Sequence, residues 1–382
     1  MKKIKVGVIG GGFIGPVHVE SLRRLGYVEV VAIARSEEEG ARKLAEQLCI
    51  PKGYGDYREL IADPQVEAVH ICTPNCLHYP MAKAAILAHK HVICDKPLAM
   101  TAEEGEELLA LAEREGVVAA VSFNLRFYPL LHQVKAMVEA GELGEIYAVN
   151  GSYQQDWLQL PTDYSWRLEP GQAGAARAIG DIGSHWLDGA EFMTGLRIRK
   201  VCADFATFLP IRKKPKKAAQ TFSGQSFADE DYEDVPILTE DYASVLLRFE
   251  GGAHGSMTVN QAAAGRKNRL FYEIYGSKAG VCFDGESPNQ LWIGKRAGRN
   301  EILIKDPALA LPPASEIMSY PGGHAEGFGD AFKQCFSKIY RYILNGQQGG
   351  RDFPTFADGV RELKISQAIV DSAKQMAWRE VQ

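Results

Sequence analysis

The chain has 382 residues, 46% of them hydrophobic and 24% charged, proportions that exclude a disordered or collagen-like polypeptide and suit about two globular domains. Its 43 basic and 48 acidic residues leave a formal charge of −5, so no global field draws it to nucleic acid. No run of about 18 apolar residues offers a membrane span, and seven cysteines without a Cys-x-x-Cys spacing point to reduced thiols in the cytoplasm rather than to a disulfide framework or zinc ribbon.

In chain order, residues 4–9, 28–34, 66–72, 91–94 and 117–122 are rich in Val and Ile and short enough to be buried strands. An apolar run broken at once by Gly7, Gly10, Gly11 and Gly12 suits a strand and turn better than a signal peptide. Amphipathic stretches at about 15–26, 36–48, 78–89 and 102–115 lie between the strands, and Thr101 with Glu104 forms a capping box for the last. Strands alternating with helices predict right-handed crossovers and a doubly wound parallel sheet.

After residue 124 the rhythm changes. A helix near 129–140 stops at Gly141 and Gly144, and strand-like runs follow at 145–153, 200–208, 243–250, 255–262, 270–275 and 280–283. Turns rather than helices separate most of them, which predicts a mainly antiparallel sheet. A last helical pattern near 355–378 is expected to pack back on the first domain. The chain thus reads as α/β plus α+β, with domains at 1–124, 125–352 and 353–382. Residues 210–241 stand apart, with Arg212-Lys-Lys-Pro-Lys-Lys217 followed by Asp229-Glu-Asp-Tyr-Glu-Asp234. A basic run of this kind can serve nucleic acid; two opposite blocks that neutralise each other in a solvated insertion explain it better.

Gly10, Gly12 and Gly15 have the G-x-G-x-x-G spacing, and they follow a strand and open a helix, the context this motif requires. The first glycine allows a tight turn, the second a close approach of backbone to a pyrophosphate, the third close helix–strand packing. Gly10, Gly12, Phe13, Ile14 and Gly15 therefore form the phosphate loop of a Rossmann-type site, with the helix N-terminus facing the phosphates. Where Asp or Glu would hold the ribose of NAD, this chain has Arg35-Ser36, which tilts the choice between NAD and NADP slightly toward NADP. Ser36 is expected to cap a helix whose first turn carries Glu37, Glu38 and Glu39.

Two motifs fall beyond strand ends of the same sheet, where such sheets bind ligands: Thr73-Pro-Asn-Cys-Leu-His78 and Asp95-Lys96-Pro97. A lysine directly after a buried strand is poorly placed to be mere surface charge. Further on, Asp181 and His185 are four apart at a helix start, with Asp188 one turn later. A carboxylate beside an imidazole suits general acid–base chemistry. A capping Asp with a core His, or an Asp-x-x-x-His-x-x-Asp metal site, would give the same pattern, although no further metal ligand is evident.

Taken together, the glycine loop, Thr73-Pro-Asn75 with His78, Asp95-Lys96-Pro97, Asn124-Leu-Arg126-Phe127 and Asp181-x-x-x-His185 resemble the Gfo/Idh/MocA oxidoreductases along essentially the whole chain. Asp95 departs from the Glu usual there. The resemblance implies that Lys96 contacts the reacting hydroxyl and the nicotinamide side, that Asp181 orients substrate and His185, and that His185 takes the hydroxyl proton. It places Thr73, Asn75, His78, Asp95 and Lys96 along the cofactor, and likens Trp166-Arg167 to a pair that some members bring to cofactor or substrate. An open-sheet second domain with helices on one face, assembling as a homodimer or homotetramer, is implied as well.

Arg126, Tyr153, Asp156, Trp166, Arg167 and His324 join Lys96, Asp181 and His185 as candidates for substrate contact, since aromatic faces and polar groups suit a polyol ring. The expected activity is NAD(P)-dependent oxidation of a secondary hydroxyl of a sugar, anhydrosugar or cyclitol, with no metal, nucleic-acid or membrane partner. A dinucleotide-sensing regulator would have no need of Lys96, Asp181 and His185 together. A glycosidase with a cycling nicotinamide is the other alternative within the resemblance, and a metal hydrolase would leave the glycine loop unexplained.

Overall fold

The structure, a computed structural model, describes residues 3–217 and 228–382. Internal contacts divide the chain into two compact units, Met1–Asn124 with Phe332–Leu363, and Leu125–Ala331 with Lys364–Gln382.

The first unit is built on β1 (Ile4–Ile9), β2 (Val28–Ala34), β3 (Lys52–Tyr54), β4 (Ala68–Ile71), β5 (His91–Cys94) and β6 (Ala119–Val121), in the order β3-β2-β1-β4-β5-β6. Every pairing is parallel. Helices α1 (Ile14–Arg23), α2 (Glu38–Gln47), α3 (Tyr57–Ala62), α4 (His78–Leu87) and α5 (Ala102–Glu115) connect the strands. Strands covered on both faces read as continuous apolar runs, and all four residues of β4 are buried. β3 and α3 escape the sequence reading because Lys52-Gly-Tyr54 is three residues long and carries no β-branched side chain.

The Thr101 half of the capping box at α5 forms, Thr101 Oγ1 accepting from the Glu104 N–H at 3.2 Å, while the Glu104 carboxylate accepts from the Met100 N–H, one residue before the cap, at 3.0 Å. The helix stops at Gly116 in the left-handed region. The cap expected at Ser36 does not form. Glu37 holds that position without a side-chain bond, while Glu38 and Glu39 occupy the first turn, where the helix dipole favours them.

The second unit contains α6 (Pro129–Glu139), β7 (Ile146–Gln154), α7 (Pro170–Ala173), α8 (Ser184–Thr194), β8 (Ile198–Ala206), β9 (Ile211–Pro215), β10 (Tyr232–Pro236), β11 (Tyr242–Phe249), β12 (His254–Asn260), β13 (Arg269–Gly276), β14 (Gly280–Asp284), β15 (Gln290–Gly294), β16 (Glu301–Ile304) and α9 (Pro312–Ser315). Nine strands, closing with β17 (Arg379–Glu380), form one sheet in the order β16-β15-β14-β13-β7-β12-β11-β8-β17. It is antiparallel except where β7 and β12 run parallel. Along β11 the residues Ala243, Val245, Leu247 and Phe249 are buried while Leu246 and Arg248 are exposed, the period-2 signature of a sheet covered on one face. The buried face meets Leu130, Leu131 and Val134 of α6, Trp186 and Leu187 of α8, and Ile365 and Ile369.

The boundary expected at residue 352 is replaced by two crossings. Helix α10 (Phe328–Leu344) passes into the first unit at Phe332, and α11 (Phe356–Gln375) leaves it after Leu363. Phe356, Val360 and Leu363 lie in the core of the first unit with Leu98 and Leu108. Only the first part of α11 therefore belongs with the first domain.

In the charged segment, β9 and β10 form a two-stranded antiparallel ribbon that sets Lys213 opposite Asp234 and Lys214 opposite Glu233. Residues 218–227 of that segment lie outside the described residues. The opposite blocks do face each other, and Lys217 pairs with Asp231 at 2.8 Å. Arg212 departs from the picture of a solvated insertion, because it is wholly buried.

Candidate active site

The glycine loop sits where strand order reverses, β1 lying between β2 and β4, the place at which such sheets bind ligands. Gly10 has φ +110°, and a Cβ there would overlap the carbonyl oxygen of Cys72; a Cβ on Gly15 would overlap the carbonyl oxygen of Gly10. At Gly12 an added Cβ meets nothing within 4 Å. Backbone therefore packs tightly on two sides while the middle glycine faces open space. Phe13 is exposed and precedes α1, which begins at Ile14, so the helix N-terminus lies directly after the glycine loop. Arg35 follows β2 directly and is exposed, as is Ser36. The Arg35 Cγ and Cδ atoms lie over Gly11. These residues fit a dinucleotide: loop and helix end for the pyrophosphate, Arg35 and Ser36 at the ribose end.

The loops after β4 and β5 are tied together by His78. Its Nδ1 lies 2.7 Å from the Pro97 carbonyl oxygen and its Nε2 2.9 Å from that of Thr73. The ring is fully buried, so His78 braces two loops rather than lining open space. Burial pushes its pKa down, and a neutral imidazole donates from only one nitrogen at a time. Thr73 Oγ1 approaches Met81 Sδ at 3.7 Å. Asn75 is buried at the start of a short 3₁₀ turn, Asn75–Leu77. Asp95 Oδ1 accepts from the Lys96 N–H at 2.9 Å, and Lys96, half-buried, precedes a cis peptide to Pro97.

In the second unit a π-helical turn, Ile179–Gly183, runs directly into α8 and carries Asp181, with His185 as the second residue of α8. Such turns widen a helix by one residue and are common at functional sites. Asp181 Oδ1 accepts from Arg167 Nε at 3.0 Å, and Oδ2 from Gln261 Nε2 at 2.8 Å. A carboxylate can only accept, which fixes the Gln261 amide with its NH₂ toward Asp181. The Arg167 guanidinium lies 4.5 Å from the Trp166 ring centroid and 5.9 Å from that of Trp157, a cation–π arrangement. His185 is buried, and its ring meets Tyr153 edge-on at 6.4 Å. α8 is clamped to β13 by Tyr272, whose hydroxyl donates toward the carbonyls of His185 (3.2 Å) and Trp186 (3.1 Å).

Tyr153, Trp166, Arg167, Asp181 and His185 thus come together. Around them stand residues the sequence reading did not select. Asn268 Oδ1 accepts from the Tyr153 hydroxyl and from Gln155 Nε2, each at 2.7 Å, and Gln155 Oε1 accepts from Trp157 Nε1 at 2.8 Å. Gln155 and Trp157 lie just past the end of β7. Gln261 and Asn268, from distant strand ends, had no local signal in the sequence. Asp156 turns instead to the Gly265 N–H (3.0 Å) and Lys267 Nζ (2.6 Å). Arg126 grips Asp188 with two of its three guanidinium nitrogens, Nε at 2.6 Å from Oδ2 and Nη2 on Oδ1. That pairing gives Asp188 a structural partner and engages Arg126 within the second unit. His324 is exposed, its Nδ1 3.3 Å from the Gly322 carbonyl. Among the described residues no group of three His, Cys, Asp or Glu side chains is placed to hold a metal ion, and no helix is long and apolar enough to cross a membrane.

Residues 4–123 match the oxidoreductase family with an NAD-binding Rossmann fold, and residues 131–282 match the GFO/IDH/MocA C-terminal domain. A levoglucosan dehydrogenase from Pseudarthrobacter phenanthrenivorans is 30% identical over 100% of this chain and 99% of its own length. The chain belongs to the Gfo/Idh/MocA family. It is accordingly an oxidoreductase of an NAD-binding family, and its six-stranded and nine-stranded sheets have that family's architecture. A solved levoglucosan dehydrogenase in complex with NADH and L-sorbose superposes with a TM-score of 0.89 over 100% of both chains at 29% identity. An inositol dehydrogenase homolog from Azotobacter vinelandii, complexed with NAD⁺, gives 0.88 at 26% identity over 99% of this chain and 97% of its own. The myo-inositol 2-dehydrogenase of Thermotoga maritima is 29% identical over 74% of this chain and 75% of its own.

Proposed function

We propose that this Gfo/Idh/MocA member oxidises a secondary hydroxyl of a sugar, anhydrosugar or cyclitol. The observation that carries the reading is the cluster of Asp181, His185, Arg167 and Gln261 beside the Tyr153–Gln155–Asn268 network. It offers an imidazole, a held carboxylate, aromatic faces and several amides, the groups a polyol ring needs. The bound dinucleotide supplies the hydride acceptor. His185 takes the hydroxyl proton, Asp181 orients the ring bearing that hydroxyl, and Lys96 stabilises negative charge developing on its oxygen. Titrating purified protein with inositols, hexoses, glycosides and anhydrosugars, with NAD and NADP in parallel, tests this. Nicotinamide reduction by one substrate group is expected. Tight dinucleotide binding with silence across the panel would withdraw the reading and favour a sensor or a glycosidase with a cycling cofactor.

Gly10, Gly12, Phe13, Ile14 and Gly15 would hold the pyrophosphate. Arg35 favours a 2′-phosphate by its charge and its position over Gly11, whereas the solved relatives above carry NADH or NAD⁺. Arg35→Asp is expected to move the ratio of kcat/KM values toward NAD by about tenfold, the worth of one charge-assisted bond. An unmoved ratio removes Arg35 from cofactor discrimination.

The outer face of the second unit's sheet carries Tyr147, Leu246, Tyr275, Ile302 and Ile304, all exposed. Exposed apolar side chains spread over one sheet face suit an association surface, which supports a homodimer or homotetramer. Light scattering should return the mass of two or four chains, and a monomer would refute this. Seven free cysteines suit the reducing cytoplasm, checked by cell fractionation.

A further inference from the structure

The charged ribbon β9–β10 is tied, through one buried cluster, to both segments that carry the candidate active site. Arg212 and Arg177 each reach Asp241 Oδ1, at 2.8 and 2.5 Å, and all three side chains are fully buried. The Arg212 Nη groups also serve the loop ahead of Trp166: Nη2 donates to the Leu158 carbonyl at 2.7 Å, Nη1 to those of Leu160 (2.9 Å) and Asp163 (3.2 Å). The ribbon backbone joins in, the Lys213 N–H donating to the Pro161 carbonyl at 2.9 Å. Lys214 pairs with Glu169 at 3.0 Å on the far side of the loop. Leu158, Leu168 and Ile237 form a small core of their own, with Trp157, Tyr164 and Val235 against it.

Beside Asp241, Glu240 serves the other segment. Its Oε1 accepts from the Ile179 N–H at 3.0 Å, the first residue of the π-helical turn that carries Asp181. The residue before that turn is Ala178, which has no side-chain acceptor. Glu240 thus supplies from 61 positions away the cap that a local Ser or Asp would provide, and its charge lies at the positive end of the helix. Burial pushes the Glu240 carboxyl up, whereas Arg177 and Arg212 outweigh burial at Asp241 and hold its carboxyl down.

We propose that Glu240, Asp241, Arg177 and Arg212 are positioning residues, a buried lock by which the charged ribbon sets the Trp157–Arg167 loop against the helix start bearing Asp181 and His185. Asp181 is held by Arg167 from the loop, so any slack between loop and helix start moves that carboxylate. The inference rests on the proposed polyol dehydrogenase reading.

Its test uses Glu240→Ala, Glu240→Gln and Arg212→Lys, with Asp181→Asn alongside, each assayed for turnover of the accepted polyol and for dinucleotide affinity. Glu240→Gln keeps an acceptor for the Ile179 N–H and should stay within about twofold of the parent; Glu240→Ala removes it and should lower kcat/KM by roughly ten- to a hundredfold, the scale of a small misplacement of reacting groups. Arg212→Lys keeps the charge but loses the fork that serves three carbonyls, and should raise KM more than it lowers kcat. Dinucleotide affinity, read by cofactor fluorescence, should stay unchanged in all of them. Wild-type turnover in Glu240→Ala, or equal impairment of Glu240→Ala and Glu240→Gln, would overturn the lock. If Arg212→Lys does not fold, the two Glu240 variants decide alone. Asp181→Asn separates the two levels: full activity there removes the catalytic assignment itself, whereas its loss together with a normal Glu240→Ala removes only the lock.

Discussion

His185→Ala is expected to lower turnover by about 10²–10⁴-fold, the contribution of a positioned general base, and to leave dinucleotide affinity unchanged. The backbone around it should hold. α8 is fixed by the Tyr272 hydroxyl on the carbonyls of His185 and Trp186, by Trp186 Nε1 donating to the Phe271 carbonyl at 2.9 Å, and by the stacking of Trp186 on Tyr272. None of these uses the imidazole, and alanine is the best helix former. Lys96→Ala should lower turnover by a comparable amount, since removing one group that stabilises developing negative charge costs about 3–4 kcal/mol at other sites. Steady-state rates with the accepted polyol, beside cofactor fluorescence titrations, check both. Parent-like turnover in either variant ends that residue's assigned role.

The second large effect is a contrast between two glycines of one loop. Gly10→Ala places a Cβ on the Cys72 carbonyl oxygen at a backbone φ of +110°. The obstacle is main chain just past the end of β4 and cannot swing aside. Strain at such a φ costs about 1–3 kcal/mol for a side-chain-bearing residue, and the overlap adds to it. Gly10→Ala should therefore lose both thermal stability and dinucleotide binding. At Gly12 nothing lies within 4 Å of an added Cβ, so Gly12→Ala should unfold at the parent temperature and lose only affinity. Thermal unfolding and dinucleotide titration of the pair separate the two roles. Parent affinity in Gly12→Ala would mean that this loop does not receive a pyrophosphate.

The first domain was legible because its determinants are local. Parallel strands buried on both faces must be apolar throughout, so β1, β2, β4 and β5 announce themselves by composition. The Thr101–Glu104 box and the glycine loop satisfy backbone groups within a few residues of themselves. Ser36 shows the limit of that logic: a good capping residue stands one position too early, because the Glu37 backbone, extended at φ −150°, begins α2 instead.

Long-range pairing was not legible. Arg126 pairs with Asp188, 62 residues later, a partner that neither residue's neighbours in sequence indicate. Arg212 read as part of a solvated basic run, and Asp241 buried it. The Asp181 carboxylate accepts from Arg167 and Gln261, 14 and 80 positions away, partners that its spacing from His185 does not indicate. A charged side chain leaves water only when a partner compensates its desolvation, and that partner is chosen by how strands and loops meet rather than by neighbours in sequence.

By itself, then, the sequence determined the doubly wound sheet, the glycine loop and the residue types of the candidate site, since periodicity, glycine spacing and chemical type are properties of short segments. Which carboxylate meets which cation was decided only by the tertiary structure. So were the sharing of α11 between the two units and the role of the charged ribbon. These depend on burial and on contacts across tens of residues, where the cost of an unpaired buried charge selects one arrangement from many that the sequence alone allows.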